Sequence, residues 1–188
     1  MKKLAIDLTY QPTGGSLSQI KGIIYNINAF SFDKVIFYVT KNNLHLFEGI
    51  DGEKINLIIV KFSNKSIVFR TIWAQMVLPV SLILNDVDVL FCTGNISPII
   101  NNRKKVQWIG TVGPFEKGII ASFSWKEKLI LLINKYLIIL SSFTSDVVVF
   151  ESNYTRNLFV IKYKQKIEKS VVFHIGKDDY YHPVSTTN

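Results

Sequence analysis

The sequence is poor in the residues that staple small secreted or metal-bound folds. It has one cysteine in 188 residues, Cys92, so no intrachain disulfide can form and a reduced, cytoplasmic setting is expected. The three histidines, His45, His174 and His182, have no metal-ligand spacing, and Asp178-Asp179 alone is a poor site. No metal and no cofactor are expected. A long apolar run is missing as well. The longest uncharged stretch, Thr71 to Asn85, has 15 residues and includes Gln75 and Pro79, short of the roughly 18 that a spanning helix needs. The start, Met-Lys-Lys-Leu-Ala-Ile-Asp, reaches Asp7 before an apolar signal region develops. The first glycine turn carries neither Gly-x-Gly-x-x-Gly nor Gly-x-x-x-x-Gly-Lys-Ser/Thr. Dehydrogenase and ATPase readings therefore lose their main support. No RNA-binding or helix-turn-helix signature appears, so nucleic acid is not an expected partner.

What is present is ample core material, with 48% of residues hydrophobic and 13% aromatic, enough for one domain. Lys plus Arg number 22 against 14 Asp plus Glu, a net charge of +8, so anions are the favoured partners: phosphates, an anionic membrane surface or, by charge alone, nucleic acid. The basic clusters, Arg103-Lys104-Lys105, Lys126 with Lys128, and Lys162 to Lys169, read as solvated faces. The segment Trp125 to Leu140 mixes Lys126, Lys128 and Lys135 with Trp125, Leu129, Leu132, Ile133 and Tyr136. Helices of that composition cover sheets and also lie at membrane interfaces.

Seven apolar segments read as strands: Lys3–Leu8, Asp33–Val39, Lys54–Phe62, Asp86–Cys92, Lys105–Ile109, Asp146–Phe150 and Ser170–His174. Between several of them lie helical patterns. Leu17, Ile20, Ile24, Ile27 and Phe30 have helical spacing behind Ser16, the expected cap. Ile67 to Leu84 is helical by length, with Pro79 expected to kink or break it. A long helix is expected over Lys117 to Ser142, and another opens behind Ser152 as its cap. Strands alternating with crossovers predict an α/β, doubly wound, mostly parallel Rossmann-like sheet. The strand Asp86–Cys92, a short apolar run behind an acidic start, is expected to be buried on both faces.

In such a sheet, ligands bind outside the carboxyl ends of the strands. Four small polar loops are expected there: Gly14-Gly15-Ser16, Thr93-Gly94-Asn95, Gly110-Thr111-Val112-Gly113 and Glu151-Ser152-Asn153. The glycine turn ahead of a helix is the geometry in which helix-start amides meet an anion. Cys92, without a neighbouring His, reads as a small buried thiol.

Four stretches carry a resemblance. Asp86-Val-Asp-Val-Leu-Phe-Cys-Thr-Gly-Asn-Ile-Ser-Pro98, Pro114-Phe115, Val148-Val-Phe-Glu-Ser-Asn-Tyr-Thr-Arg156 and Ile175-Gly-Lys-Asp-Asp-Tyr-Tyr-His-Pro183 together resemble the amino-terminal half of retaining GT-B glycosyltransferases, the bacterial group 1 or glycogen-synthase-like family. The resemblance implies that residues 1–175 form a Rossmann-like acceptor-binding domain. Residues 176–188 would be a hinge toward a second, donor-binding domain that this sequence does not contain. It implies a nucleotide-sugar donor held mainly by that second domain, and a polysaccharide or lipid-linked acceptor. Gly14, Gly15 and Ser16 would lie beneath the donor phosphates. Thr93, Gly94, Asn95, Ser97, Gly110, Thr111, Ser152 and Arg156 would line the acceptor side, and Gly176 would fall in the hinge. Where many relatives carry a His-Asp or Gln-Asn pair, this chain has Gly110-Thr111. Alone, the chain is expected not to turn over; the alternative is a non-catalytic binding module or one subunit of a split enzyme.

Overall fold

The seven apolar runs become strands, and the helical spacing after Gly14 becomes a helix to Tyr25, followed by a 3-10 turn at Ile27–Ala29. The computed structural model describes residues 1–50, 52–61, 67–111, 113–116 and 123–174. In chain order these give β1 (Lys3–Leu8), α1 (Gly15–Tyr25), β2 (Lys34–Val39), a 3-10 turn at Lys41–Phe47, β3 (Ile55–Ile59), α2 (Ile67–Ile72), a π-helical stretch at Trp73–Val77, α3 (Leu78–Leu84), β4 (Val89–Cys92), β5 (Lys104–Ile109), α4 (Trp125–Phe143), β6 (Val147–Phe150), α5 (Asn153–Tyr163) and β7 (Ser170–Val172). All seven strands are parallel, in the order β3-β2-β1-β4-β5-β6-β7. The strand order reverses between β1 and β4. This is a Rossmann-like α/β sheet, and the switch point lies beside β4, the strand of the Asp86–Cys92 run.

Four strands, β2, β3, β4 and β6, start later than their apolar runs, and β5 starts one residue earlier. The run from Asp86 starts pairing only at Val89, because Asp86 takes a left-handed φ of 52° while the Asp88 carboxylate accepts the Lys3 amide at 2.7 Å. β3 stops at Ile59, and Phe62 lies outside the described residues, as do residues 117–122 at the expected start of the long helix. Pro79 does not break its segment. It sits in the first turn of α3, where a missing N–H costs nothing, and the π turn before it absorbs the change of hydrogen-bond partner.

Register decides which side chains share a face. Leu90 pairs with Lys105, Cys92 with Gln107, and Gln107 with Val148, so the odd positions of β5 point with Ala5, Tyr38 and Phe150 toward α2, α3, α4 and α5. There Trp73, Leu78 and Leu82 pack on β1, β2 and β4, and Ile138, Ile139 and Phe159 pack on β5 and β6. The opposite face carries Leu4, Ile6, Val35 and Phe37, closed by Ile20 and Ile24 of α1 and by Leu46.

That opposite closure is incomplete. Beyond α1 the face formed by Val89, Phe91, Val106, Trp108, Val149 and Phe173 lines an open apolar trough of ≈ 1490 Å³, although parallel sheets ordinarily have both faces covered. The expectation that β4 is buried on both faces is therefore corrected. Leu90 and Cys92 are fully buried, whereas Val89 and Phe91 are half-buried on the trough wall.

Lys105 corrects a second expectation. Read as part of a solvated cluster, it is 1% exposed: in a strand starting at Lys104, period two turns the next lysine inward. Its Nζ donates to the Pro98 carbonyl and, at 2.8 Å, to Thr144 Oγ1.

Candidate functional site

The carboxyl ends of β1, β4, β5 and β6 are neighbours in the sheet, so the loops after them form one continuous rim. Gly14, Gly15 and Ser16 lie after β1; Thr93, Gly94 and Asn95 after β4; Gly110 and Thr111 after β5; Ser152 after β6. Val112 and the expected hinge glycine, Gly176, lie outside the described residues.

At the first loop the cap of α1 is Gly14, not Ser16. Gly14 adopts φ 55° and ψ −131° and offers no side chain to the helix start, a backbone conformation that glycine tolerates best. Ser16 falls inside the first turn, where its Oγ accepts the Thr13 amide at 2.9 Å and donates to the Thr13 carbonyl at 2.8 Å. The first turn of α1 therefore has no side-chain cap and no acidic residue. Its leading amides and positive dipole end face the rim. A Cβ at Gly15 would meet nothing within 4 Å.

The second and third loops are fastened to each other. Asn95, with φ 68°, accepts the Gly110 and Thr111 amides on Oδ1 at 2.9 and 3.2 Å. Thr93 Oγ1 donates to the Asp7 carbonyl at 2.9 Å, closing β4 onto β1. Gly94 is required for space, since a Cβ there would stand 2.9 Å from Tyr10 Cδ1. At Gly110 a Cβ would collide with the Glu151 carboxylate, which would have to shift to admit it. That carboxylate accepts Trp108 Nε1 at 3.0 Å and Gln19 Nε2 at 3.2 Å, bridging β5, α1 and the loop after β6.

Two expected site residues turn away from the rim. Ser97 is fully buried; its Oγ donates to Gln107 Oε1 at 3.4 Å and its carbonyl accepts Gln75 Nε2 at 3.0 Å. Arg156 directs Nε to Ser170 Oγ at 3.0 Å, toward β7. Ser152 caps α5 as expected, accepting the Thr155 amide at 3.2 Å.

Sequence reasoning passed over the residues at the switch point itself. Asp7, at the end of β1, is 6% exposed, and its Oδ1 accepts Thr9 N at 3.0 Å and Thr9 Oγ1 at 2.8 Å. Burial pushes its carboxyl above the usual range, against the Thr9 hydrogen bonds and the nearby Arg70 charge. Asp7, Thr9, Tyr10, Arg70 and Gly94 enclose a cavity of ≈ 20 Å³, room for a water molecule and little more. Burial likewise pushes the Tyr10 hydroxyl up. Asn43 is 1% exposed and donates from Nδ2 to the Leu8 and Tyr10 carbonyls at 2.8 Å each, fixing the loop that leads to Gly14. The one available signal was Asp7, a carboxylate inside an otherwise apolar strand.

Cys92 is buried, and burial followed by the Asp7 charge holds its thiol well above its ordinary range. It is a protonated core thiol at neutral pH, not a nucleophile. Among the described residues no three His, Cys, Asp or Glu side chains are grouped to hold a metal ion. The rim offers backbone amides at a helix start, small hydroxyls and one bridging carboxylate, which suits binding a phosphorylated or hydroxyl-rich ligand better than supplying a nucleophile. The large trough lies lower on the other face of the sheet, and its apolar wall has little to orient a polar ligand. Comparison with protein-family models and with curated proteins finds no match for the chain.

Proposed function

We propose that this chain is the acceptor-binding half of a glycosyltransferase, which receives a sugar from a nucleotide-sugar donor onto a polysaccharide or lipid-linked acceptor. The observation that carries the reading is the rim. Four adjacent strand ends astride the switch point present an uncapped helix start at Gly14, Gly15 and Ser16 beside the interlocked Thr93–Asn95 and Gly110–Thr111 loops. The α1 amides are suited to the negative charge that grows on a departing diphosphate. A second domain or a separate polypeptide would supply the donor pocket, and with it the binding energy that positions the reacting carbon. In this reading the chain works in the cytoplasm, at the inner face of a membrane when the acceptor is lipid-linked. The second reading, a non-catalytic binding module, is favoured by one feature: the rim places no exposed nucleophile or acid-base pair among its described residues.

The test is calorimetric titration of nucleotide sugars into the chain alone and with a candidate donor domain. Binding that requires the second component is the expected result. Tight binding to this chain alone would place the donor site here and overturn the assignment of halves.

A further inference from the structure

We infer that the outer side of the α3–α4 layer is a seat for an anionic lipid surface. The inference stands on the surface of the molecule and does not rest on the transferase reading.

Helix α4 carries more apolar surface than the side that covers the sheet can bury. Trp125, Leu129, Leu132, Ile133, Tyr136 and Leu140 recur at i, i+4, i+7, i+8, i+11 and i+15, a stripe roughly 100° wide at 3.6 residues per turn. That stripe faces outward, with exposures from 46% at Leu132 to 72% at Trp125. The buried side carries serines beside Ile138. Ser141 and Ser142 are 0% and 1% exposed, and Ser141 Oγ accepts Gln107 Nε2 at 2.9 Å. The inward side is shared by Ile138, Ile139 and these serines, while a second, wider apolar stripe faces away. The neighbouring helix repeats the feature: Ile72, Met76, Val80 and Leu84 are 47–80% exposed, on a stretch without charge from Thr71 to Asn85. Both helices cover the same face of the sheet, so their outer sides form one side of the molecule.

Charge identifies the occupant. At helical spacing Lys126 and Lys128 flank the stripe on its two sides, with Lys135 beyond Lys128. Glu127, the sole acidic residue of α4, has its carboxylate occupied at the helix start by Ser124 N at 2.9 Å and Ser124 Oγ at 2.6 Å. The remaining flanking charges are therefore positive, on a chain of net charge +8. A second copy packed on the stripe would oppose lysine to lysine, whereas anionic headgroups complement both flanks while the stripe enters the acyl boundary. No helix among the described residues is long and apolar enough to cross a membrane, so the helix lies on the surface. Because α4 starts behind Ser124 at the carboxyl edge of the sheet, the seat borders the rim.

The test is flotation of the purified chain with vesicles of phosphatidylcholine alone and of phosphatidylcholine mixed with phosphatidylglycerol. The chain should float with the mixed vesicles and remain behind with the neutral ones. Lys126→Gln and Lys128→Gln should each weaken binding about fivefold. Leu129→Gln with Leu132→Gln and Tyr136→Gln, all exposed, should abolish it with the circular dichroism spectrum unchanged. No flotation with mixed vesicles, or undiminished flotation of the triple variant, would overturn the inference. A wild-type dimer in sedimentation velocity that this triple variant dissolves would assign the stripe to a second copy instead. Vesicle binding and sugar-nucleotide titration are read separately, so either can fail without the other.

Discussion

Replacing the buried Lys105 by methionine tests the electrostatics of the sheet directly. Burial holds this ammonium down to about 8, from 10.5 for an exposed lysine. Between those values the unfolded chain binds the extra proton, so stability rises with pH through that window and the contribution is complete above it. Worked through the linkage relation, the gain between pH 8 and pH 9.5 is about 1–2 kcal/mol. Cys92 acts in the opposite direction. Burial holds its thiol well above the 9.0 of an unfolded cysteine, which offsets part of that gain, less than about 1 kcal/mol over the same interval. Wild type should therefore gain slightly less than about 1 kcal/mol, and Lys105→Met, which keeps chain volume and loses the proton, should lose about as much. Urea unfolding followed by the fluorescence of Trp73 and Trp108 at the two pH values measures both; Tyr10 and Tyr38, whose hydroxyls burial pushes up, begin to ionise in the unfolded chain near the upper value, equally in wild type and variant, and cancel in the difference. Parallel changes in wild type and variant would refute the reasoning, since the difference between them isolates Lys105.

Three further outcomes follow from the rim and its support. Gln107→Leu should cost about 3 kcal/mol in urea unfolding, because the amide of this fully buried residue donates to the Asn95 carbonyl at 2.6 Å and to Ser141 Oγ at 2.9 Å and accepts Ser145 Oγ at 3.0 Å. Gly110→Ala should cost about 1–2 kcal/mol in wild type and much less in a Glu151→Ala background, where the collision is gone; equal costs in a double-mutant cycle would remove the collision as the cause. Gly15→Trp should leave the unfolding midpoint nearly unchanged, since nothing lies within 4 Å of its Cβ direction. In a complete two-part enzyme the same change should abolish transfer, and unchanged transfer would take Gly15 out of the site.

The parallel sheet was legible because seven apolar runs were interrupted by helical spacing, and only crossover connections join parallel strands. The rim was legible in outline for the same reason: parallel strands bring their following loops to one edge. What period and composition could not show was the direction of individual polar side chains. Ser16 has the right identity for a cap, but the cap falls two residues earlier, at Gly14. Lys105 and Gln107 look like an ordinary polar strand edge in sequence, yet they sit beneath α4, satisfied by Pro98, Thr144, Ser141 and Ser145, partners about 7 to 40 residues away. Asn43 and Glu151 are invisible in the same way, since their partners Leu8, Tyr10, Trp108 and Gln19 become neighbours only through the sheet order.

The trough on the far face divides the backbone into two regimes of motion. β1 and β2 are shut between packed side chains on both sides, with Leu8, Phe37 and Val39 completely inaccessible. β7 has three residues, pairs on one side with β6, and leaves Val171 and Phe173 half in water. Amide protons of β7 should then exchange through small local openings, while those of β1 and β2 wait for global unfolding. Whatever seals the trough would be felt first as slowed exchange along that thin edge.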